Sequence, residues 1–405
     1  MLIRKAYKFK LKSTPELDRQ LAQAAGCCRF LWNKALALNL KRLEEKQPLM
    51  WYQELAFWLA FWKKTNELNF LKQSHSQPLQ QTLKHLERAF RDGFDSKQPN
   101  KRIPKFKKKF CGDSFCYPQG FKFDNRRVYL PKIGWVGFHT SRSIEGKQKN
   151  LTVKREADGW YISVQVEIEI PDPVHPSQSS VGIDLGVSRF ASLSTGAYFT
   201  PLNSFRKHEE KLAKAQKKLS RQVKYSSNWR KQKRKIAKYH RKIRNCRLDY
   251  LHQMTGKISK SHAIVFLEDL SIKNMSKSAK GSSESPGKNV RAKSGLNKSI
   301  IDQGWGIFCN LLKYKLTWLG GELNFVNPQY TSQKCPRCSN ISSQNRLTQS
   351  KFQCKKCKYE NNADHVGALN ILAAGLAVMA CQANSIRSRQ QEPVGNRKEV
   401  LSSAI

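Results

Sequence analysis

Two cysteine knuckles constrain this chain more than any other feature. Cys335-Pro-Arg-Cys338 is followed, fifteen residues on, by Cys354-Lys-Lys-Cys357. Each Cys-x-x-Cys turn brings two thiolates to one side of the backbone, and four thiolates fill the tetrahedral sphere of a zinc ion. Such a sphere has no open position for water, so the ion is expected to be structural and the segment a zinc ribbon. Two unrelated cysteine pairs would give the same letters, as would a redox pair, although nothing around the knuckles reads as a thioredoxin-like unit. The chain has eleven cysteines. An odd total with four gathered at metal spacing suits a reducing compartment, not a disulfide framework. Cys27, Cys28, Cys111, Cys116, Cys246, Cys309 and Cys381 read as free thiols.

Charge sets the class of partner. Among 405 residues, Lys and Arg number 74 and Asp and Glu 30, a formal net charge of +44. A small domain needs a charge of roughly 2–8 to stay soluble. The excess attracts polyanions, of which nucleic acid is the usual one. A binder without chemistry and a protein bound to an anionic membrane stay open on charge alone. The N-terminus, MLIRKAYKFK, has no apolar signal-peptide core. Leu49–Trp62, the most apolar stretch, is shorter than the roughly 20 residues that span a bilayer and is interrupted by Gln53 and Glu54. It reads as a buried helix, and the protein as soluble and intracellular with no membrane partner.

Periodicity divides the chain. Tyr7, Phe9 and Leu11 alternate with Lys8, Lys10 and Lys12, a strand with one basic face. Ser13-Thr14-Pro15-Glu16 is a helix start, and helical spacing, as in Leu79, Leu83, Leu86 and Phe90, continues to about Phe94. Gln98–Lys109 is a basic linker whose Lys105, Lys107 and Lys108 suit phosphate. Short strand-like runs fill 115–170, with Asp158-Gly159 as a hairpin turn, and are expected to pair with the N-terminal strand. Pro171–Ser180 is a linker to a second domain. Residues 204–260 form a basic helical hairpin broken at Ser226-Ser227-Asn228, with Arg230, Lys231, Lys233 and Arg234 on its polar face. A run this long of one sign repels itself unless a polyanion lies against it. Met275–Lys298, rich in Ser, Gly and Lys, reads as mobile, and 382–405 as a disordered tail.

Three segments place acids where apolar text would otherwise continue. Ser180–Gly196 (SVGIDLGVSRFASLSTG) reads as a strand, a turn and a returning strand. Alternation puts Gly182, Asp184 and Gly186 on one face, with Ile183, Leu185 and Val187 on the other. An acid there is costly unless paired or metal-bound. The glycines are expected to leave room beside it for a metal-bound phosphate; a turn aspartate is the plain alternative. In His262–Leu270 a buried run, Ile264 to Leu267, ends in Glu268 and Asp269, which alternation sends to opposite faces. In Asn362–Ile371, Asp364 opens an apolar helix, where an N-cap is the plain alternative. Together these carboxylates can hold two divalent ions about 4 Å apart that activate water and stabilise the leaving oxygen of a phosphodiester. Hard oxygen ligands suit Mg2+ or Mn2+.

At these residues the chain resembles the TnpB/OrfB family of bacterial insertion sequences, relatives of the type V CRISPR effectors. The resemblance runs through RFLWNKAL, LQQTLKHLERAFRDGF and PKFKKK, then GIDLGVSRFASLSTG, RLDYLHQMT, FLEDLSIKNM and LNKSIIDQGWGIFCNLLKYK, then NPQYTSQKCPRCS, FQCKKC and NADHVGALNI. It implies a multidomain α/β and α+β chain. A β wedge module (1–14 and 113–176) is interrupted by a helical recognition lobe (15–112). An RNase H-like (RuvC) nuclease domain (177–328 and 361–381) carries an inserted zinc ribbon (329–360). The family's catalytic acids fall on Asp184, Glu268 (not Asp269) and Asp364, and its zinc ligands on Cys335, Cys338, Cys354 and Cys357. Tyr52, Gln77 and Gln80 fall among candidates for reading a short transposon-associated motif in DNA. Where many members have Asn-Ala-Ala after the last acid, this chain has Val366-Gly367-Ala368.

The implied activity is that of an RNA-guided, divalent-metal-dependent DNA endonuclease of an insertion sequence, with a structural zinc ion. Its implied partners are a guide RNA from the transposon end and double-stranded target DNA. It is expected to act as one copy with its RNA, in the cytoplasm at the nucleoid. A guided repressor or accessory protein without cleavage, and a transposase that joins DNA ends, are the rival readings. Relatives that act as repressors have lost their acids; here all three are intact.

Overall fold

The structure, a computed structural model, describes residues 1–390 except 110 and 283. The chain forms two units that meet in sequence at Pro171 and Asp172, inside the expected linker.

In the first unit β1 (Leu2–Lys10) leads into α1 (Pro15–Glu44), α2 (Tyr52–Trp62) and α3 (Ser76–Phe94). Six strands follow: β2 (Ser114–Tyr117), β3 (Lys122–Asp124), β4 (Arg127–Leu130), β5 (Gly134–Gly137), β6 (Lys147–Glu156) and β7 (Gly159–Glu169). As expected, β1 pairs with the late strands: it lies antiparallel to β7, Leu2 opposite Glu169 and Lys10 opposite Tyr161, in a sheet of order β1-β7-β6-β2. Thr14 caps α1 by accepting the Leu17 amide, with Pro15 in the first turn. Alternation turns Phe9, Leu11, Ile162, Val164 and Val166 inward, where they share one buried core with Leu21, Leu31, Leu79, Leu83 and Leu86 from the helices. The expected division into 1–14 with 113–176 and 15–112 therefore does not separate two cores.

Helix α2 departs from the expected buried helix. Leu55, Leu59 and Trp62 are buried, but Phe57, Trp58 and Phe61 are 73%, 40% and 54% exposed. A helix with apolar residues beyond one stripe can turn only one stripe to a single core.

The second unit holds β8 (Ser180–Asp184), β9 (Ala191–Leu193), β10 (Tyr198–Phe199), α4 (Arg206–Ser220) and α5 (Ser227–Ser261). Next come β11 (Ile264–Glu268), α6 (Ile272–Met275), α7 (Val290–Gln303), α8 (Trp305–Leu319) and β12 (Glu322–Val326). The chain closes with β13 (Lys351–Gln353), β14 (Glu360–Asn362) and α9 (Ala363–Gln390). The main sheet has the order β10-β9-β8-β11-β12, with β8, β11 and β12 mutually parallel and β9 and β10 antiparallel. Parallel neighbours need long crossovers, and the helices between β8 and β11 and between β11 and β12 provide them.

Period-two alternation then decides which residues meet. Val181, Ile183, Val265 and Leu267 face Leu251, Met254, Ile258, Phe308, Leu312 and Leu316 from α5 and α8. Phe266 faces the other way, with Ile371 of α9. Gly182, Asp184 and Glu268 share that second face. The apolar run 363–381 is long enough to cross a membrane by composition; here its first turns cover the sheet, with Val366, Ala368 and Ile371 fully buried.

The glycine beside Asp184 corrects an expectation. A Cβ on Gly182 would lie 2.3 Å from Ala368 O and 2.5 Å from Leu372 N. The space next to the acid is filled by the backbone of α9, so Gly182 serves close helix–strand approach, not a phosphate. Gly182→Ala should cost about 3 kcal/mol or more, since overpacking against backbone has no rotamer to relieve it. A thermal melt checks this; an unchanged melting temperature would contradict it.

Residues 290–298, expected to be mobile, belong to α7. Lys293 Nζ donates to Met275 O, and Asn297 Nδ2 to Ser276 O and Lys277 O. These ties to the preceding segment outweigh a composition that reads as loop. Helix α9 runs to Gln390, past the expected start of the tail at 382; residues 391–405 lie outside the described residues.

Candidate active site and thiolate cluster

Asp184 ends β8 and Glu268 ends β11, adjacent parallel strands with Leu267 paired to Ile183 in the register. In open parallel sheets the carboxyl ends of strands are where ligands bind. Asp364 enters from the first turn of α9. It is not the N-cap: Asn362 Oδ1 accepts the amides of Asp364 at 3.1 Å and His365 at 3.3 Å. The asparagine does the capping, which leaves the Asp364 carboxylate free for other partners. Asp269, just past the end of β11, is exposed.

The electrostatics show that Asp184 senses both other acids. Burial lifts the Asp184 carboxyl to about 7, with the like charges of Glu268 and Asp364 adding to the rise, against Arg346 and the Leu185 amide. Burial also lifts Glu268, against a hydrogen bond from Thr331 and the charge of Arg346. Helix α9 comes close here as well: a Cβ on Gly367 would lie 3.0 Å from Asp184 Oδ2. Among the described residues, no three carboxylate oxygens lie within 4.8 Å of one another as the cysteine thiols do.

Three contributors have no signature in the sequence. Arg346, between the knuckles, brings a guanidinium nitrogen 3.7 Å from Asp364 Oδ1. Thr331 donates its hydroxyl to Glu268 Oε1 at 2.5 Å. Asn370, two turns along α9, donates to Thr331 O and Lys334 O, both at 2.7 Å, and so fixes the loop that orients Glu268. Only the family-like run NPQYTSQKC and the asparagine of NADHVGALNI hinted at this network.

The four knuckle cysteines do converge. Cys335 and Cys357 sulfurs are 3.6 Å apart, Cys338 and Cys354 sulfurs 3.5 Å, and all four lie within 4.8 Å of one another. A tetrahedron of roughly 2.3 Å metal–sulfur bonds has edges near 3.8 Å, so donor set and spacing fit one tetrahedral ion. The Cys357 amide donating to Cys354 Sγ holds that thiol below its ordinary range, which favours the thiolate a metal needs. Cys335, Phe352 and Cys354 pack on Ala363 and Val366 of α9. Ser350 O accepts the Ala363 amide, at 2.9 Å. The cluster is thus braced against the turn that carries Asp364.

The remaining expected residues are scattered. Tyr52 lies under Lys84 Nζ, 4.8 Å from its ring centroid, while its amide donates to Glu87. Gln77 and Gln80 sit in the first turns of α3, Gln77 half-buried and Gln80 exposed. In the basic linker Lys105 O accepts from Trp32 Nε1, Lys107 Nζ lies 3.6 Å from the Trp32 ring centroid, and Lys108 is exposed. On α5, Arg230, Lys231, Lys233 and Arg234 are all exposed.

Comparison with known proteins follows the same segments. A family model described as "Probable transposase" matches residues 163–279 and one described as "Cas12f1-like, TNB domain" matches 305–371. A "Helix-turn-helix domain" model matches 1–48, a stretch that here forms β1 and the single helix α1. The chain is 49% identical over 392 residues to the "Putative RNA-guided DNA endonuclease InsQ" of Escherichia coli (strain K12), covering 96% of this chain and 97% of that one. It is 32% identical over 403 residues to a "Putative RNA-guided DNA endonuclease" of Streptomyces pristinaespiralis, covering 98% and 96%. Its fold is similar to that in the "Cryo-EM structure of the Cas12f1-sgRNA-target DNA complex", with a TM-score of 0.53 at 14% identity over 88% of this chain and 83% of the other.

Proposed function

This chain belongs to the TnpB/OrfB family of insertion-sequence-encoded RNA-guided nucleases, relatives of the type V CRISPR effectors, and we propose that it is itself an RNA-guided, divalent-metal-dependent DNA endonuclease. The observation that carries this reading is the group of three acids at two parallel strand ends and a helix start, where burial, with the like charges of Glu268 and Asp364 adding to it, raises the Asp184 carboxyl to about 7. Like charges so placed are unfavourable unless a cation joins them.

On this reading the second unit is an RNase H-like (RuvC-type) domain, and Cys335, Cys338, Cys354 and Cys357 hold a structural zinc ion. Asp184, Glu268 and Asp364 would hold Mg2+ or Mn2+, which when bound supplies Lewis-acid activation of water and stabilises the leaving oxygen. Two such ions would share these three carboxylates between them. Thr331 fixes the rotamer of Glu268. Arg346 is placed to grip the non-bridging oxygens of the scissile phosphate as charge builds on them. The first unit is read as wedge module and recognition lobe, with Tyr52, Gln77 and Gln80 toward the motif in target DNA and Lys105, Lys107 and Lys108 toward phosphate. The protein would work as one copy with its guide RNA, in the cytoplasm at the nucleoid.

Because a metal must displace the Asp184 proton, the Mg2+ concentration for half-maximal cutting should rise about tenfold per pH unit below about 7. Cleavage titrated with Mg2+ at pH 6 and pH 8 checks this, and a pH-independent requirement would contradict it. Neutralising Lys231, Lys233, Lys235, Lys238 and Lys242 together should weaken nucleic-acid binding for all sequences. The slope of log affinity against log salt should become shallower by roughly 0.9 for each duplex phosphate that is no longer neutralised.

Guiding itself is tested by exchange. With the protein produced beside RNA from its own locus, replacing the guide segment should move the cut to the newly matched DNA. Cutting that ignores the exchange would support a transposase-like or unguided activity instead.

A further inference from the structure

The loop between α4 and α5 is the tip of the basic hairpin, and it presents aromatic rings. Tyr225 is 72% exposed and Val223 79% exposed. The Tyr225 and Trp229 rings stand 5.4 Å apart at 53°, and Lys233 Nζ lies 4.8 Å from the Trp229 ring centroid. From Lys211 through Arg247 the sequence holds sixteen Lys and Arg and no Asp or Glu. A partner for this tip must therefore be anionic and must offer flat apolar faces, which describes a nucleic-acid strand with unpaired bases.

The backbone adds an independent sign. Tyr225 has φ of 68°, in the left-handed region that costs a bulky residue energy and that glycine adopts freely. Ser226 caps α5 by accepting the Trp229 amide, so the turn needs neither ring for its own closure. A tyrosine where glycine would fit better, with its ring in solvent, is strain without a folding purpose.

We infer that Tyr225 and Trp229 form a base-stacking platform at the hairpin tip, taking one unpaired nucleobase of a strand whose phosphates run along α4 and α5. The inference rests on the nucleic-acid reading above but needs neither metal nor cleavage, so the two can fail separately. Base stacking on an aromatic ring typically changes affinity about 5- to 150-fold per base.

The test uses the full chain without divalent metal and fluorescent twelve-nucleotide single strands of RNA and of DNA, each beside an abasic strand of equal charge. Wild type should bind base-containing strands at least about fivefold tighter than abasic ones. Tyr225→Gly with Trp229→Leu should remove most of that preference while leaving the salt dependence unchanged, and Tyr225→Gly alone should melt no lower than wild type. A 5-iodouracil photocrosslink should map to Tyr225 or Trp229, and the RNA and DNA arms show which strand supplies the base. An undiminished base preference in the double variant, or crosslinks confined to other segments, would overturn the assignment. A lower melting point for Tyr225→Gly would also overturn it, by giving the ring a structural role.

Discussion

Asp184→Asn is expected to abolish cutting and at the same time to make the metal-free protein more stable. Loss of groups that merely orient metal ligands costs 10- to 100-fold, so loss of a carboxylate that would itself hold the metal should cost more than about 100-fold. Guided DNA binding should persist, because the carboxylate is remote from the basic surfaces in sequence and role. The stability effect follows from linkage. Asp184 binds its proton more tightly folded, at about 7, than unfolded, at about 4. Its contribution therefore worsens as pH rises through that window and is fully unfavourable above it, by a few kcal/mol. The asparagine protein should melt higher than wild type at pH 8 and show no such advantage at pH 4. Equal melting temperatures at pH 8 would mean that the acids do not strain the fold.

The second large effect is expected at the ribbon. Strands β13 and β14 have three residues each, and their core is only Cys335, Phe352, Cys354, Ala363 and Val366. So small a core cannot fold unaided, and a structural zinc ion contributes roughly 10–16 kcal/mol in comparable units. Cys354→Ser should therefore release the ion, open 329–360 to protease and reduce cutting at least about tenfold. It should do so without lowering the melting temperature of the rest. The loss of cutting follows from three ties: Ala363 to Ser350, Asn370 to Thr331 and Lys334, and Arg346 beside Asp364. Cys309→Ser, outside the knuckles, should keep zinc and activity. Full cutting by zinc-free Cys354→Ser protein would show that the ribbon does not position the acids.

Much of this site was legible because its parts obey short-range rules. Alternation along IVFLE sent Glu268 and Asp269 to opposite faces, the family resemblance chose Glu268, and the parallel pairing of the two strands sets it beside Asp184. The knuckle spacing gave the thiolate cluster, and Thr14 and Pro15 gave the start of α1. What was not legible depends on partners far off in sequence. A glycine says that something comes close but not what, so Gly182 read as room for phosphate when α9 fills it. Asn362 and Asp364 are both good capping residues, and only the structure shows which one caps. Thr331 and Arg346 reach acids through contacts no periodicity encodes. Helix α2 misled because apolar residues spread beyond one stripe hide which stripe is buried, and α7 because side-chain ties override a loop-like composition.

Whether these three acids cut DNA chosen by an RNA is decided by cleavage of a plasmid library with randomised bases beside one guide-matched target, with Mg2+, for wild type and for Asp184→Asn. The predicted result is cutting confined to one short flanking motif by wild type and none by the variant. Binding without cutting by folded, zinc-loaded wild-type protein would contradict it and leave a guided binder in its place.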